Sequence, residues 1–370
     1  MDKLVKLFLD LVKIPSPSGN ELEVAKYIQK YLNDIGIESY TDNAGKKVNS
    51  NSGNVIAKIG KGRPKLMFVA HMDTVEDGKS VIKPILKNGV IRSDGKTILG
   101  SDDKAAVASL LGAIGELKDK DIPTTYFVFS LREEKGVMGV NHLDLEKDID
   151  FVFDADGSNP PGQFIHRALG NQSFEIRIKG KDAHSAKDPE KGRNAIKTAA
   201  LIIAKLKLGR DSKWNVLNIG TITGGTRDNV IPGRCLLTGE ARATTLKGID
   251  KILLSIEKIT HDVCKETGCK FTLVKKELDV PLNTSENAKV VELAKRASEA
   301  ARIKFSLVTI PATIQGCALA AKGYQTLGLS KGGKLPHSKK ESLKVKELVQ
   351  TKRLIIEIVK NARNERNESD

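Results

Sequence analysis

The sequence predicts a three-layer α/β domain around a largely parallel sheet, interrupted by a smaller ferredoxin-like α+β unit. Two observations carry this reading. Over the first part of the chain, nearly continuous apolar runs alternate with amphipathic helical segments, as in a buried parallel sheet flanked by helices. From about Gly170 the apolar residues alternate singly with polar ones, and the segments follow a β-α-β-β-α-β order, which is ferredoxin-like. Later the first pattern returns. The expected boundaries are 1–168 with 277–370 for the discontinuous domain and 169–276 for the insert.

The first segment, MDKLVKLFLDLVKIPSPSG, reads as an amphipathic helix that Pro15 and Pro17 end. Ser18-Gly19-Asn20-Glu21 has the form of a capping box before a second helix, which stops near Gly36. GNVIAKIG and PKLMFVAHMD read as strands, the second apolar enough to be buried on both faces. A helix runs from Asp102 through DDKAAVASLLGAIGELK; the strand TTYFVFS, a short helical stretch around Asn141–Leu145 and the strand FVFDAD follow. In the insert, QSFEIRIKGK, WNVLNIGTITGG, GRCLLTGEARAT and KFTLVKKE read as strands, with helices at NAIKTAALIIAKLKL and IDKILLSIEKITHDVCKET. A helix at ENAKVVELAKRASEAA, the strand YQTLGLS and a final helix after Lys344 complete the chain.

Charge and composition narrow the function classes. The 370 residues include 61 Lys and Arg against 46 Asp and Glu, a net charge of +15. Such an excess favours nucleic acid through counterion release. Here, however, the basic residues lie on amphipathic stretches such as KTAALIIAKLKLGR, with no dense block and no interleaved aromatics. They read as solvated helix faces, and no specific nucleic-acid partner is expected. No apolar run approaches the ~20 residues of a membrane span. Lys3, Lys6, Asp10 and Lys13 break the first helix, so neither a membrane partner nor a secretory signal is expected. Cys235, Cys264, Cys269 and Cys317 fit no disulfide framework or paired zinc module. The expected location is cytoplasmic.

The informative polar residues fall at strand ends. His71 and Asp73 follow LMFVA, Glu133 and Glu134 follow TTYFVFSLR, Asp154 and Asp156 follow FVF, and His337 lies beyond YQTLGLS. Asp102 and Asp103 start a helix after a loop on the same side. Open α/β sheets bind ligands outside the carboxyl ends of their strands. Each residue taken alone has an ordinary reading: a solvated loop pair, a helix-start acid, a surface charge pair, a strand-end turn, a loop histidine. Together they bring more carboxylates to one edge than can all stay ionised without cations. A His/Asp/Glu set without thiolate suits zinc, cobalt or manganese. The strand period of two puts His71 and Asp73 on one face, where the carboxylate can hold the second ring nitrogen.

FVAHMDTV, ILGSDDKAAVASLL, the glutamate pair of LREEKGVMG and GGKLPHS resemble the dinuclear zinc exopeptidases that include peptidase T and carboxypeptidase G. DDKA, in place of D-x-K-G-G, looks like the peptidase T-like branch. The similarity extends to PSPSGNE near the start and to GKDAHSAKDPEKGRNAI in the insert. The resemblance implies a phosphorylase/hydrolase-like catalytic domain whose insert is a lid and, in many relatives, a homodimer interface. It implies two divalent ions, zinc first, with cobalt and manganese as alternatives. Asp102 would bridge them, His71 and Asp154 would complete one position, and Glu134 and His337 the other. Asp154 is favoured over Asp156 because DADG resembles the family's D-x-x-G turn. Glu133 would be the general base and Asp73 the partner of His71. In the insert, His184 would reach the reacting carbonyl, from a neighbouring subunit in dimeric members, and Asn229 and Arg242 would bind substrate.

One segment departs from the branch: PATIQGCALA stands where a G-x-S-D-A stretch is usual, with Gln315 in place of the acid, which bears on the usual tripeptide specificity. Lys135 and Lys334 add positive charge near the crevice. The expected function is hydrolysis of peptide bonds in small peptides by a tripeptidase or aminopeptidase-like exopeptidase. The alternatives are a deacylase of N-acyl amino acids using the same chemistry, and a metal- or nucleic-acid-binding protein without catalysis.

Overall fold

The computed structural model describes residues 2–363 apart from 77, 146, 147 and 212. The chain divides into two compact units, residues 1–166 with 284–309 and 314–370, and residues 167–283 with 310–313.

The first unit is built on a sheet whose four central strands, Thr125–Ser130, Leu66–His71, Phe151–Gly157 and Thr326–Ser330, run parallel in that spatial order. Val55–Ile59 and Ser39–Thr41 extend it antiparallel on one side, and Gln163–Ala168 pairs antiparallel with Thr326–Ser330 on the other. Leu66 through Ala70 are fully buried, as a central parallel strand covered on both faces requires. Alternate side chains go to opposite layers. Leu66, Phe68 and Ala70 join the core beneath helices Lys3–Val12, Leu22–Asp34, Ser101–Leu117, Lys289–Ala300 and Val345–Ala362, whereas Met67 and Val69 face Val140 and Leu319. Phe68 stacks against Phe127 and Phe153 of its two neighbouring strands, with ring centroids 5.6 and 5.3 Å away. Burying each such side chain contributes about 1.5–3 kcal/mol.

The second unit is a five-stranded antiparallel sheet in the order Gly209–Arg210, Val216–Gly224, Arg234–Ala243, Gly170–Lys179, Lys270–Asp279. Helices Ala195–Lys205 and Leu246–Thr267 pack on one face, burying Phe174, Ile176, Ile178, Ala199, Ile202, Leu237 and Ile256. This is the β-α-β-β-α-β arrangement expected of the insert. The unit ends at Asn283, a few residues beyond the expected return at 277, because Leu282–Asn283 pairs back onto Arg167–Ala168.

Two local expectations change. Ser18 does not cap the second helix: its hydroxyl donates to Asp73, and Glu21 at the helix start has no side-chain capping bond. The short helix lies at Met138–Asn141, earlier than expected, after Gly139 packs its backbone against Leu131. The segments Ser306–Ile310 and Gln315–Ala321, a strand and a helix, had no clear periodic signal.

Candidate metal centre

Asp73 organises the cluster at the carboxyl edge of the first unit's sheet. His71 ends its strand at 1% exposure. Its Nδ1 lies 2.8 Å from the backbone carbonyl oxygen of Asp73 and 3.4 Å from that residue's Oδ1. A proton held at Nδ1 by those acceptors leaves Nε2 to offer a lone pair outward. The same Asp73 carboxylate accepts the Glu133 N–H at 3.0 Å, the Glu134 N–H at 3.2 Å and the Ser18 hydroxyl. One buried residue therefore fixes both, the imidazole chiefly through its backbone carbonyl and the turn that carries the glutamate pair through its carboxylate.

The helix Ser101–Leu117 opens with two residues outside helical geometry, Asp102 (φ −88°, ψ 102°) and Asp103 (φ −115°, ψ 20°). Buried Glu341 shapes this start. Its carboxylate accepts the N–H groups of Leu99 and Gly100 at 2.8 Å each, the Ser101 hydroxyl at 2.6 Å and the Asp102 N–H at 3.1 Å. So held, Asp102 turns its two oxygens toward different imidazoles: Oδ1 is 3.7 Å from His71 Nε2, and Oδ2 is 3.3 Å from His337 Nε2. His337 is 49% exposed and has a left-handed backbone (φ 62°), a conformation that tends to cluster at functional sites when adopted by a residue other than glycine. Its Nε2 is also 2.9 Å from Glu134 Oε1.

Three sets of potential ligand atoms each lie within 4.8 Å of one another: those of His71, Asp103 and Asp156; of Asp102, Glu134 and His337; and of His71, Glu133 and Glu134. Asp154 belongs to none of these sets among the described residues. The strand does not stop at Phe153 but continues to Gly157, so Asp154 lies one pleat, about 6.6 Å, below Asp156. There it accepts the Gly316 N–H at 2.6 Å and faces Gln315 Nε2 at 3.4 Å, at the start of the helix Gln315–Ala321. Asp156 Oδ1 is instead 3.6 Å from His71 Nε2. The structure thus brings Asp156, rather than the expected Asp154, beside His71. Gln315, also buried, accepts from Ser130 and packs with Asp154 beneath the cluster.

The electrostatics are those of crowded carboxylates seeking cations. Burial pushes the His71 pKa down, but Asp102, Asp156 and Asp73 outweigh it and raise the pKa well above the usual imidazole value. Hydrogen bonding to Asp102 and Glu134 raises His337 to about 10. Burial, reinforced by Asp156, raises Glu133 well above the ordinary carboxyl range, and burial with Asp156 pushes Asp154 up to about 8. Asp102 goes the other way: burial is outweighed by Lys331, His337 and His71, which hold it well below its ordinary value. The buried oxygens Glu134 Oε1 and Asp103 Oδ1 lack a hydrogen bond although a cationic side chain faces each. Oxygen and imidazole donors with unspent lone pairs fit divalent cations, whose binding would displace the imidazolium protons.

Lys331 is the group that sequence reading missed. It lies 1% exposed just after Thr326–Ser330, with Nζ 2.8 Å from Asp102 Oδ1, 3.1 Å from Asp103 Oδ1 and 3.4 Å from Asp156 Oδ1. Burial lowers its pKa, but those three carboxylates raise it well above the ordinary ammonium value. The lysines singled out from sequence, Lys135 and Lys334, are exposed.

The overall likeness matches this geometry. A crystal structure of aminopeptidase PepT from Bacillus cereus superimposes with a TM-score of 0.90 at 32% identity, covering 98% of each chain. The chain belongs to the peptidase T-like family. A Staphylococcus aureus tripeptidase structure gives a TM-score of 0.88 at 28% identity, again over 98% of each chain. The uncharacterized protein YqjE of Bacillus subtilis is 30% identical over 368 residues, 97% of this chain and 98% of its own. Residues 168–268 match the model of the peptidase dimerisation domain, and residues 54–198 match that of peptidase family M28. The three-layer unit with an inserted α+β unit is accordingly the family fold.

The remaining candidates lie in the second unit. His184 and Val230 pair in a short two-stranded ribbon, and the carbonyl of the adjacent Asn229 accepts the Ser185 N–H at 3.0 Å. His184 Nδ1 accepts the N–H groups of Ala186 and Lys187, both at 3.2 Å, so a neutral ring carries its proton on Nε2. Arg242 ends the sheet strand Arg234–Ala243 and pairs with Glu240 at 2.9 Å. The structure therefore brings His184 and Asn229 side by side, with Arg242 on a separate strand. Among the described residues, no helix is long and apolar enough to cross a membrane.

Proposed function

We propose that this protein is a dinuclear metal-dependent exopeptidase that hydrolyses small peptides. The observation that carries the reading is Asp102, a part-buried carboxylate whose two oxygens address two different imidazoles. His71 and Asp156 would hold one divalent ion and Glu134 and His337 the other, with Asp102 shared. Zinc is the ion we assign, with cobalt and manganese as alternatives for the same oxygen and nitrogen donors. The ions, when bound, acidify water and polarise the scissile carbonyl.

The chain's own residues supply the rest. Glu133, held beside the pair by the Asp73–backbone bond, takes the proton of the attacking water and delivers it to the leaving amine. Asp73 keeps the His71 Nε2 lone pair directed outward. His184 donates through Nε2 to the developing oxyanion, from its own chain or from a partner subunit. Arg242 and Asn229 hold a terminal carboxylate or the neighbouring peptide backbone, a task suited to the fork of a guanidinium.

The match of residues 168–268 to a dimerisation domain supports a homodimer formed through the second unit. Four buried free thiols, Cys235, Cys264, Cys269 and Cys317, support a cytoplasmic setting.

The test is a hydrolysis screen of the zinc-, cobalt- and manganese-loaded protein against di- and tripeptides and against N-acyl amino acids. Metal-dependent release of amino-terminal residues is the expected result. Cleavage confined to acylated amino acids would replace the peptidase by a deacylase, and no hydrolysis with any ion would overturn the reading.

A further inference from the structure

The two halves of the carboxylate cluster differ in one respect that the family chemistry does not require: among the described residues, a buried ammonium stands on one side only. Lys331 is pinned there by its backbone, whose N–H donates to the Gly157 carbonyl at 2.7 Å where two parallel strands end. Its Nζ donates to Asp102 Oδ1 at 2.8 Å and lies 3.4 Å from Asp156 Oδ1. These are the same two oxygens that face His71 Nε2, at 3.7 and 3.6 Å. Asp103 Oδ1, 3.1 Å away, gives the ammonium a third carboxyl neighbour. The other side is different. Asp102 Oδ2 and Glu134 Oε1 face His337 Nε2, and that imidazole is half exposed.

We propose that Lys331 is a resident counter-cation of the His71–Asp156 position, so that the two metal positions load unequally: the Glu134–His337 position binds first and tightly, the His71–Asp156 position later and weakly. The inference rests on the dinuclear reading above. A divalent ion bound through Asp102 Oδ1 and Asp156 Oδ1 must share those oxygens with a positive charge that water does not screen, because Lys331 is buried. Only the flexible stem of the lysine can relieve this, by withdrawing the ammonium toward Asp103. An ion at the outer position meets no such buried ammonium among the described residues: Asp102 Oδ2 and Glu134 Oε1 face the half-exposed His337 ring, where solvent screens charge.

The experiment is calorimetric titration of chelator-stripped full-length protein with zinc alone, with bound metal counted by elemental analysis. In the unsubstituted protein two events are expected, separated by at least about 100-fold in affinity. His337→Ala should abolish the tight event and His71→Ala the weak one. Lys331→Met should draw the two affinities to within about 10-fold by strengthening the weak event, and Lys331→Arg should preserve the separation. Lys331→Gln keeps a hydrogen-bonding head without the charge; it should behave as the methionine variant and carries the test if that variant does not fold. Two equal affinities in the unsubstituted protein, or a separation unchanged when the charge is removed, would overturn the proposal while leaving the dinuclear reading intact. Failure to bind zinc at all would overturn both.

Discussion

The two units hold their polar residues in opposite ways. In the first, His71, Asp73, Asp103 and Glu341 are buried, and the three carboxylates each accept from backbone N–H groups in distant parts of the chain. In the second, His184 and Asn229 are exposed and, among the described residues, bond to near neighbours on or beside a two-stranded ribbon. A buried donor set cannot readjust without leaving charges unpaired, so it is organised before any ligand arrives. Exposed groups on a ribbon cost little to reposition. The difference fits the proposed division, with ion binding and proton transfer in the first unit and recognition of substrate in the second.

Substitutions that separate metal content from turnover would sharpen or break this division. The largest effect is expected for Glu133→Gln, which should lower kcat by about 10³- to 10⁴-fold with bound metal unchanged; an active variant would remove Glu133 as the base. His184→Ala should cost about 10²- to 10³-fold in kcat, again with full metal content. Loss of metal from that variant would show that the second unit also belongs to the ion site. Glu341→Gln removes no proposed ligand side chain but loosens the turn that presents Asp102. Metal affinity should fall by about 10- to 100-fold, with partial recovery of turnover at high zinc. Arg242→Ala should raise KM by roughly 10-fold for substrates with a free carboxylate and leave carboxamide analogues nearly unaffected, if the guanidinium makes a charge-assisted bond. The smallest effect separates neighbours on one strand. Asp154→Asn should keep its metal, whereas Asp156→Asn should lose affinity; the reverse result, read by elemental analysis, would restore Asp154 as the ligand.

Much of this was legible in the residues. A parallel strand buried on both faces must be apolar until it reaches the sheet edge, so the first polar residues after LMFVA and TTYFVFS mark that edge. His71, Asp73 and the glutamate pair are found there. The β-α-β-β-α-β insert was equally legible, because half-exposed antiparallel strands alternate. What the residues left open was register. Asp154 and Asp156 share a face, and only the continuation of the strand to Gly157 shows which one clears the helix at Gln315. Lys331 was hidden for a different reason. In SKGGK it looks like any surface lysine, and its burial depends on carboxylates brought from residues 102, 103 and 156. Ser18 had the right neighbours for a helix cap, but a buried carboxylate from Asp73 competed for its hydroxyl.

Glu341 also sets a schedule. It reaches back some 240 positions to shape the turn at Leu99–Asp102, across the whole of the second unit. During synthesis from the amino terminus, His71, Asp102, Glu134 and Asp156 emerge long before the segment that supplies Lys331, His337 and Glu341. The ribosome-bound chain can fold the insert first, since its strands and helices are contiguous, but it cannot hold Asp102 in place. A nascent chain halted before residue 341 would carry Asp102 without the carboxylate that shapes its turn, so that turn acquires its frame only after residue 341 has been made.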